Sequence, residues 1–230
     1  VKSFSELDVF THMVEMRKPD HSRDEEILRL IQSCIRIFCY SESLAEEETI
    51  VFKLRSFCIE IADLLHAAYP AAYNIFLYRN AEDWACSCAR AFKVFDFRTT
   101  FMVFQKRSVW NRFVSLYDHY ADQYKGKFSV MRYVTLMWLS FMHRYVHCVE
   151  QGIPFHALRY ADLVAEPEGM LDEILSICDM GNPGTFDIQS RLKRDSQENS
   201  VLARDIIRQD EHNYLTENHL RELREMIHHD

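Results

Sequence analysis

The chain reads as an α/β domain, rich in helix and built on a short parallel sheet. Two observations predict this. Residues 49–54 and 75–78 are short, β-prone apolar runs that flank an amphipathic helix over 56–69. A strand-helix-strand order of this kind implies a parallel sheet joined by a crossover. Most of the remaining chain shows helical apolar periodicity, with only five glycines and five prolines to interrupt it.

Taken in order, residues 6–17 and 23–40 are two amphipathic helices separated by Lys18-Pro19-Asp20. The second places Ile27, Leu30, Ile31, Cys34, Ile35 and Phe38 on its buried face. In the helix over 56–69, Phe57, Ile61, Leu64, Leu65 and Ala68 share a side, Ser56 is the N-cap and Pro70 lies just past the end. The run Ile75-Phe76-Leu77-Tyr78 is a buried parallel strand. Asn80 then caps a helix whose first turn carries Glu82 and Asp83, acids that suit the helix dipole. Asp83 stands three residues after Asn80, a variant of the capping box.

Residues 97–124 and 128–151 are a helical pair turning near Gly126, with a dense aromatic set that serves mostly as core. A few of those rings are candidates for an acceptor pocket, since small-molecule sites are largely apolar and aromatic. Residues 154–159 are a third strand, 181–200 a loop or lid, and 216–228 a charged helix anchored by Leu220 and Leu223.

Composition limits the function classes. At 230 residues the chain is expected to be one domain with a substantial core. A net charge of -8 argues against a nucleic-acid surface, which needs an extended basic field. A nucleotide ligand needs only a local basic pocket. No apolar run reaches the roughly 18 residues of a membrane span. The seven cysteines form an odd set without C-x-x-C, favouring reduced core thiols over a disulfide framework. His143 and His147 have zinc-compatible spacing, but Arg144 stands where a metalloprotease helix needs Glu, so a packing or surface role is expected and no metal site is assigned. No G-x-S-x-G motif supports a serine hydrolase.

The junction at Arg79 carries the chemistry. An apolar run ends in Arg79, a helix starts after Asn80, and Ser87 follows eight residues after the arginine. A helix starting near Ala81 places Ser87 about 10 Å along the axis. Its side chain leans back toward the N-terminus. Arg79 offers a fork of donors that matches phosphate oxygens, and open α/β sheets bind ligands at the carboxyl ends of their strands. The same residues also fit an arginine capping the sheet edge and a serine bonded to its own helix.

Three segments then resemble one family: Lys53-Leu54-Arg55-Ser56; Tyr69-Pro70 followed by the run from Ile75 through Arg79-Asn80-Ala81-Glu82-Asp83 to Ser87; and Pro154 through Arg159-Tyr160-Ala161-Asp162-Leu163 to Pro167-Glu168. Together they are similar to the sulfotransferases that use 3′-phosphoadenosine 5′-phosphosulfate. The resemblance is strongest over 70–92 and 153–178. It implies a three-layer α/β/α domain of the P-loop nucleoside triphosphate hydrolase type over residues 1–230. It also implies transfer of a sulfuryl group from that nucleotide, as co-substrate, to a hydroxyl or amine acceptor. Arg79 and Ser87 would hold the 3′-phosphate, and Lys53 would stabilise the leaving group. Glu6 and His12 are the two candidate bases, set against a helix-start acid and a surface histidine. Arg55 cannot act as a base because its guanidinium stays protonated, but it can contact phosphate. Tyr160 is a further ligand candidate.

Three departures stand out. No Gly-, Ser- and Lys-containing phosphosulfate loop occurs, so an N-terminally truncated domain, inactive or nearly so, is expected. Arg55 occupies the place of the usual base histidine. Ala81 and Ala161 replace the family's proline and glutamate. The expected partner is a small-molecule or carbohydrate acceptor. The expected compartment is the cytoplasm, or the Golgi lumen where an anchor precedes Val1. A non-catalytic nucleotide-binding or helical interaction domain is the alternative reading.

Overall fold

The structure, a computed structural model, describes residues 2–41, 49–92, 112–123, 129–181 and 215–229. The chain divides into two compact units. One comprises Val1–Ala72, Gln105–Lys127 and Leu136–Ile153; the other comprises Tyr73–Phe104, Phe128–Thr135 and Pro154–Asp230. The architecture is α/β: helix-rich, with two short parallel strand pairs.

The first unit opens with β1 (Lys2–Ser5), α1 (Asp8–Met16), α2 (Asp24–Ser41) and β2 (Ile50–Lys53). A 3₁₀ helix at Ser56–Ile61 leads into α3 (Ala62–Ala68). β1 and β2 pair in parallel, with Phe4 opposite Phe52 and Ser5 opposite Lys53. Their register is supported by rings: Phe4 stacks on Phe52 at 5.2 Å, and Phe10 meets Phe52 edge-on at 5.8 Å. The core beneath gathers Phe10, Met13 and Val14 of α1, Ile27 and Ile31 of α2, and Ile61 and Leu64.

Three expectations change here. Residues 2–5 are a strand, although four residues are too few for periodicity to declare one. The segment after Ser56 starts as 3₁₀, whose three-residue turn shifts the buried side to Cys58, Ile59, Ile61, Ala62 and Leu64. Phe57 and Leu65 are only half-buried. On α2, Leu30, Cys34, Ile35 and Phe38 are also half-buried.

The second unit holds β3 (Ile75–Tyr78), α4 (Ala81–Phe92), β4 (His156–Arg159), α7 (Tyr160–Ala165), α8 (Pro167–Ile177) and α9 (Glu217–His229). Between α4 and β4 in sequence come α5 (Tyr117–Gln123), which belongs to the first unit, and α6 (Val130–Glu150), whose residues fall in both. β3 and β4 pair in parallel from Ile75 opposite His156 to Tyr78 opposite Arg159. The far end of the pair is pinned twice: the His156 N–H donates to Asn74 O at 2.9 Å, and Asn74 Nδ2 donates to Pro154 O at 3.1 Å. Ala85, Cys88 and Ala89 of α4 are buried, as are Leu223 and Met226 of α9.

Among the described residues β2 and β3 belong to different sheets, so the crossover over 49–79 does not close one common sheet. The expected burial of β3 is also incomplete: Ile75 is 37% exposed and Leu77 48%. A two-stranded pair lacks the neighbouring strands and helices that cover both faces of a larger parallel sheet. Of the helix pair expected over 97–124 and 128–151, residues 112–116 form turns instead and the helical parts described are α5 and α6; residues 93–111 and 124–128 lie outside the described residues, as does the loop expected over 181–200 beyond Gly181. Of the aromatic set, Phe113, Tyr117, Tyr120, Tyr133 and Phe141 are buried core residues.

Candidate functional site

The Arg79 junction folds as its residues dictate. Asn80 Oδ1 accepts from the Asp83 N–H at 2.8 Å, and Asn80 Nδ2 donates to Asp83 Oδ2 at 2.6 Å. This reciprocal cap starts α4 and satisfies one of its free amides. That amide is therefore unavailable to an anion. Glu82 accepts from Arg224 of α9 at 2.7 Å.

Arg79 follows the last residue of β3, and Tyr160 follows the last residue of β4. Because Tyr78 and Arg159 are register partners, the two residues leave the same end of the pair side by side. The guanidinium carbon of Arg79 lies 3.8 Å from the centroid of the Tyr160 ring, over its face. Both residues are half-buried. Ser87 lies on α4, also half-buried, between the buried Ala85 and Cys88. Burial alone pushes the Cys88 thiol up to about 12, with Arg79 acting weakly in the opposite direction. A cleft of about 320 Å³ borders this junction, lined by Asn80, Ala81, Glu82, Leu223, Arg224, Ile227 and His228. A larger hollow of about 500 Å³ runs along α9 and touches none of the residues picked from sequence.

The candidates in the first unit form a separate cluster. Lys53 Nζ is 2.7 Å from Glu6 Oε1, and the Glu6 N–H donates to Lys53 O at 2.7 Å. Glu6 adopts a left-handed backbone, φ 53°, which this double link to Lys53 holds in place. Arg55 is 2.8 Å from Asp8 Oδ1 and 4.0 Å from Glu6 Oε2, and it donates to Thr11 Oγ1 at 3.2 Å. His12 is largely exposed and meets Glu15, one turn further on, at 3.2 Å. Thus Glu6, Lys53 and Arg55 come together, while His12 makes its own contact.

A third group was not read from the sequence. Arg17 binds Asp63 through both terminal nitrogens at 2.7 and 2.6 Å and reaches Asp24 at 2.8 Å. Arg144 reaches Asp63 from α6 at 2.8 Å. Burial works against the Asp63 carboxylate, but the two arginines hold it below the usual range. Burial likewise works against the Arg17 cation, and Asp63 and Asp24 more than offset it. Nearby, Arg17 also donates to the Glu60 carbonyl, and burial pushes the Glu60 carboxyl up to about 7 against a Ser115 hydrogen bond. Asp63 follows Glu60 by three residues, a polar pair inside an apolar stretch that could have signalled buried charge. Its partners lie 46 and 81 residues away, beyond the reach of local pattern.

For the metal question, His143 is exposed and His147 contacts Gln151 at 3.0 Å. All seven cysteines are free thiols. Among the described residues no helix is long and apolar enough to cross a membrane.

These features define an α/β protein with a basic strand-to-helix junction. Comparison with known proteins returns no matching family model, curated protein or solved structure.

Proposed function

We propose that the chain is a sulfotransferase-like nucleotide-binding domain, in which Arg79 and Ser87 grip the 3′-phosphate of 3′-phosphoadenosine 5′-phosphosulfate. In this reading the three-layer, P-loop-like arrangement is the parent architecture, and the reaction is sulfuryl transfer to a hydroxyl or amine. The observation that carries it is the placement of Arg79 at the carboxyl end of a parallel pair, one residue before a capped helix. The donor types fit a phosphate: a guanidinium fork and a hydroxyl. The nucleotide supplies the activated sulfuryl group. The chain's own residues bind its phosphate, and Lys53 is assigned to the leaving group by resemblance. A carbohydrate or other small-molecule acceptor fits this reading, in the cytoplasm or in the Golgi lumen.

The second reading, nucleotide binding without transfer, is favoured by the pairing of Lys53 with Glu6. This contact occupies both the proposed leaving-group cation and one proposed base.

Calorimetric titration of the 230-residue chain with adenosine 3′,5′-bisphosphate tests the grip. Arg79→Ala should weaken binding about 10- to 100-fold, the range for a charged hydrogen bond, and Ser87→Ala about 2- to 10-fold. Unchanged affinity in both variants overturns the assignment. A sulfate-transfer assay separates the two readings: turnover above background excludes the binding-only form.

A further inference from the structure

We infer that the first unit contains a proton-driven arginine switch: when the buried Glu60 carboxyl ionises, Arg144 turns its unused Nε–H onto it and bridges Glu60 and Asp63. The switch stands apart from the nucleotide reading above. Glu60 lies on the 3₁₀ segment after β2, and its side chain is enclosed by α1, α3, α6 and the turn at Ser115. The residue is 9% exposed, and its Oε1 accepts no hydrogen bond. Arg144 Nε is a buried donor without an acceptor. Of the two arginines, Arg144 acts on the Glu60 carboxyl more strongly than Arg17 does. An orphaned acceptor and an orphaned donor in one buried cluster are costly as they stand and leave a bond to be made.

The charges balance while Glu60 is neutral. Arg17 and Arg144 are matched by Asp63 and Asp24 through contacts of 2.6–2.8 Å. Among the described residues no ion pair reaches the Glu60 carboxyl, and Arg17 donates instead to its backbone carbonyl. The Ser115 hydrogen bond and the Cys148 thiol of α6, which burial holds protonated, add no charge. His21 meets Asp24 at 2.8 Å on the exposed side of the cluster. A carboxylate in such a site is disfavoured by desolvation, so Glu60 keeps its proton up to about 7. When that proton leaves to water, a third negative charge stands beside two cations. Arg17 has both terminal nitrogens engaged, by Asp63, Asp24 and the Glu60 carbonyl. Its Nε is also without an acceptor, but a planar guanidinium pinned at both ends cannot re-aim it. Arg144 spends one terminal nitrogen on Asp63, which leaves it free to pivot. It is therefore the arginine that can respond, and the new bond would tie α6 to the 3₁₀ segment.

The test is an NMR titration of the isotope-labelled 230-residue chain from about pH 5 to about pH 9. The Glu60 carboxyl carbon should titrate with a midpoint near 7 rather than at the 4.5 of a free glutamate. The Arg144 Nε–H should move downfield with the same midpoint, and its exchange with water should slow as it gains an acceptor. The Arg17 Nε–H should shift much less. Glu60→Gln keeps the shape of the side chain and removes the titration, so the Arg144 transition should vanish while the fold is retained. Circular dichroism follows the fold across the same range. An Arg144 Nε–H that ignores pH while Glu60 titrates overturns the switch. So does an Arg144 transition that persists in Glu60→Gln, or an Arg17 shift as large as that of Arg144. A Glu60 midpoint near 4.5 shows that the carboxyl is not held neutral, and the switch falls with it. Unfolding on ionisation also overturns it, because the folded chain would then have no arginine to spare. Should Glu60→Gln fail to fold, the matched or mismatched midpoints of the parent decide the question.

Discussion

The two units handle their key cations differently. In the first, Arg17, Arg144, Lys53 and Arg55 each meet a carboxylate at 2.6–2.8 Å. In the second, Arg79 lies over an aromatic ring. A matched ion pair spends its charge within the fold, and when buried it ties elements together. The contrast sets the half-buried Arg17–Asp63–Arg144 network, which ties elements of the first unit together, beside a cation–ring stack at the proposed ligand site of the second.

The largest expected effect breaks the architectural side. Asp63→Ala leaves Arg17 and Arg144 facing each other with side chains only 10% and 15% exposed. Removing one partner of a buried pair costs about 3–5 kcal/mol, which urea unfolding would register as a large drop in midpoint. Arg79→Ala should change the same midpoint little. If the two variants unfold alike, the contrast between the units has no basis.

Next comes the pH dependence of the first unit. The Glu60 carboxyl is raised from 4.5 to about 7 by burial. Between those values the unfolded chain releases this proton while the folded chain keeps it, so stability falls as pH rises through the window. The full effect is on the order of 3 kcal/mol. Asp63 runs the other way: its folded value is lowered, so its contribution is present above 3.8 and is lost as pH falls through the folded value. Glu60→Gln should flatten the decline between pH 5 and 7 and unfold later than the parent at pH 8. A parent whose stability rises across that interval would contradict the burial of Glu60.

Smaller effects sharpen the recognition side. Asn80→Ala removes the α4 cap and should cost about 1 kcal/mol, seen as a lower Tm, whereas Asn80→Asp should retain most of it. An Asn80→Ala protein as stable as the parent would mean that the reciprocal cap with Asp83 contributes nothing. The smallest effect is expected at Glu6→Gln, since a partly exposed pair such as Lys53–Glu6 contributes about 0–1 kcal/mol. A loss well above that range would show the pair to be structural after all.

Local signals account for what was legible. Ile75–Tyr78, the Asn80 cap and α4 all lie where the sequence places them, because β-propensity, capping chemistry and helical period act over a few residues. Arg79 and Tyr160 were both candidates from sequence, but not as a contact, since 81 residues separate them. β1 escaped notice because its strand character comes from pairing with β2 and from the Phe4–Phe52 stack, both long-range. The 3₁₀ start at Ser56 shifted a buried side that a uniform 3.6-residue period had placed elsewhere.

By itself, then, the sequence determined most of the described helices, three of the four strands among the described residues and the chemical types at the junction, since these follow from short-range sterics and hydrogen bonding. Only the tertiary structure decided which strands pair, which cations are matched by carboxylates, and that the Tyr160 ring lies against Arg79. Those outcomes depend on register and burial, which join residues from distant parts of the chain and leave no local periodicity to read.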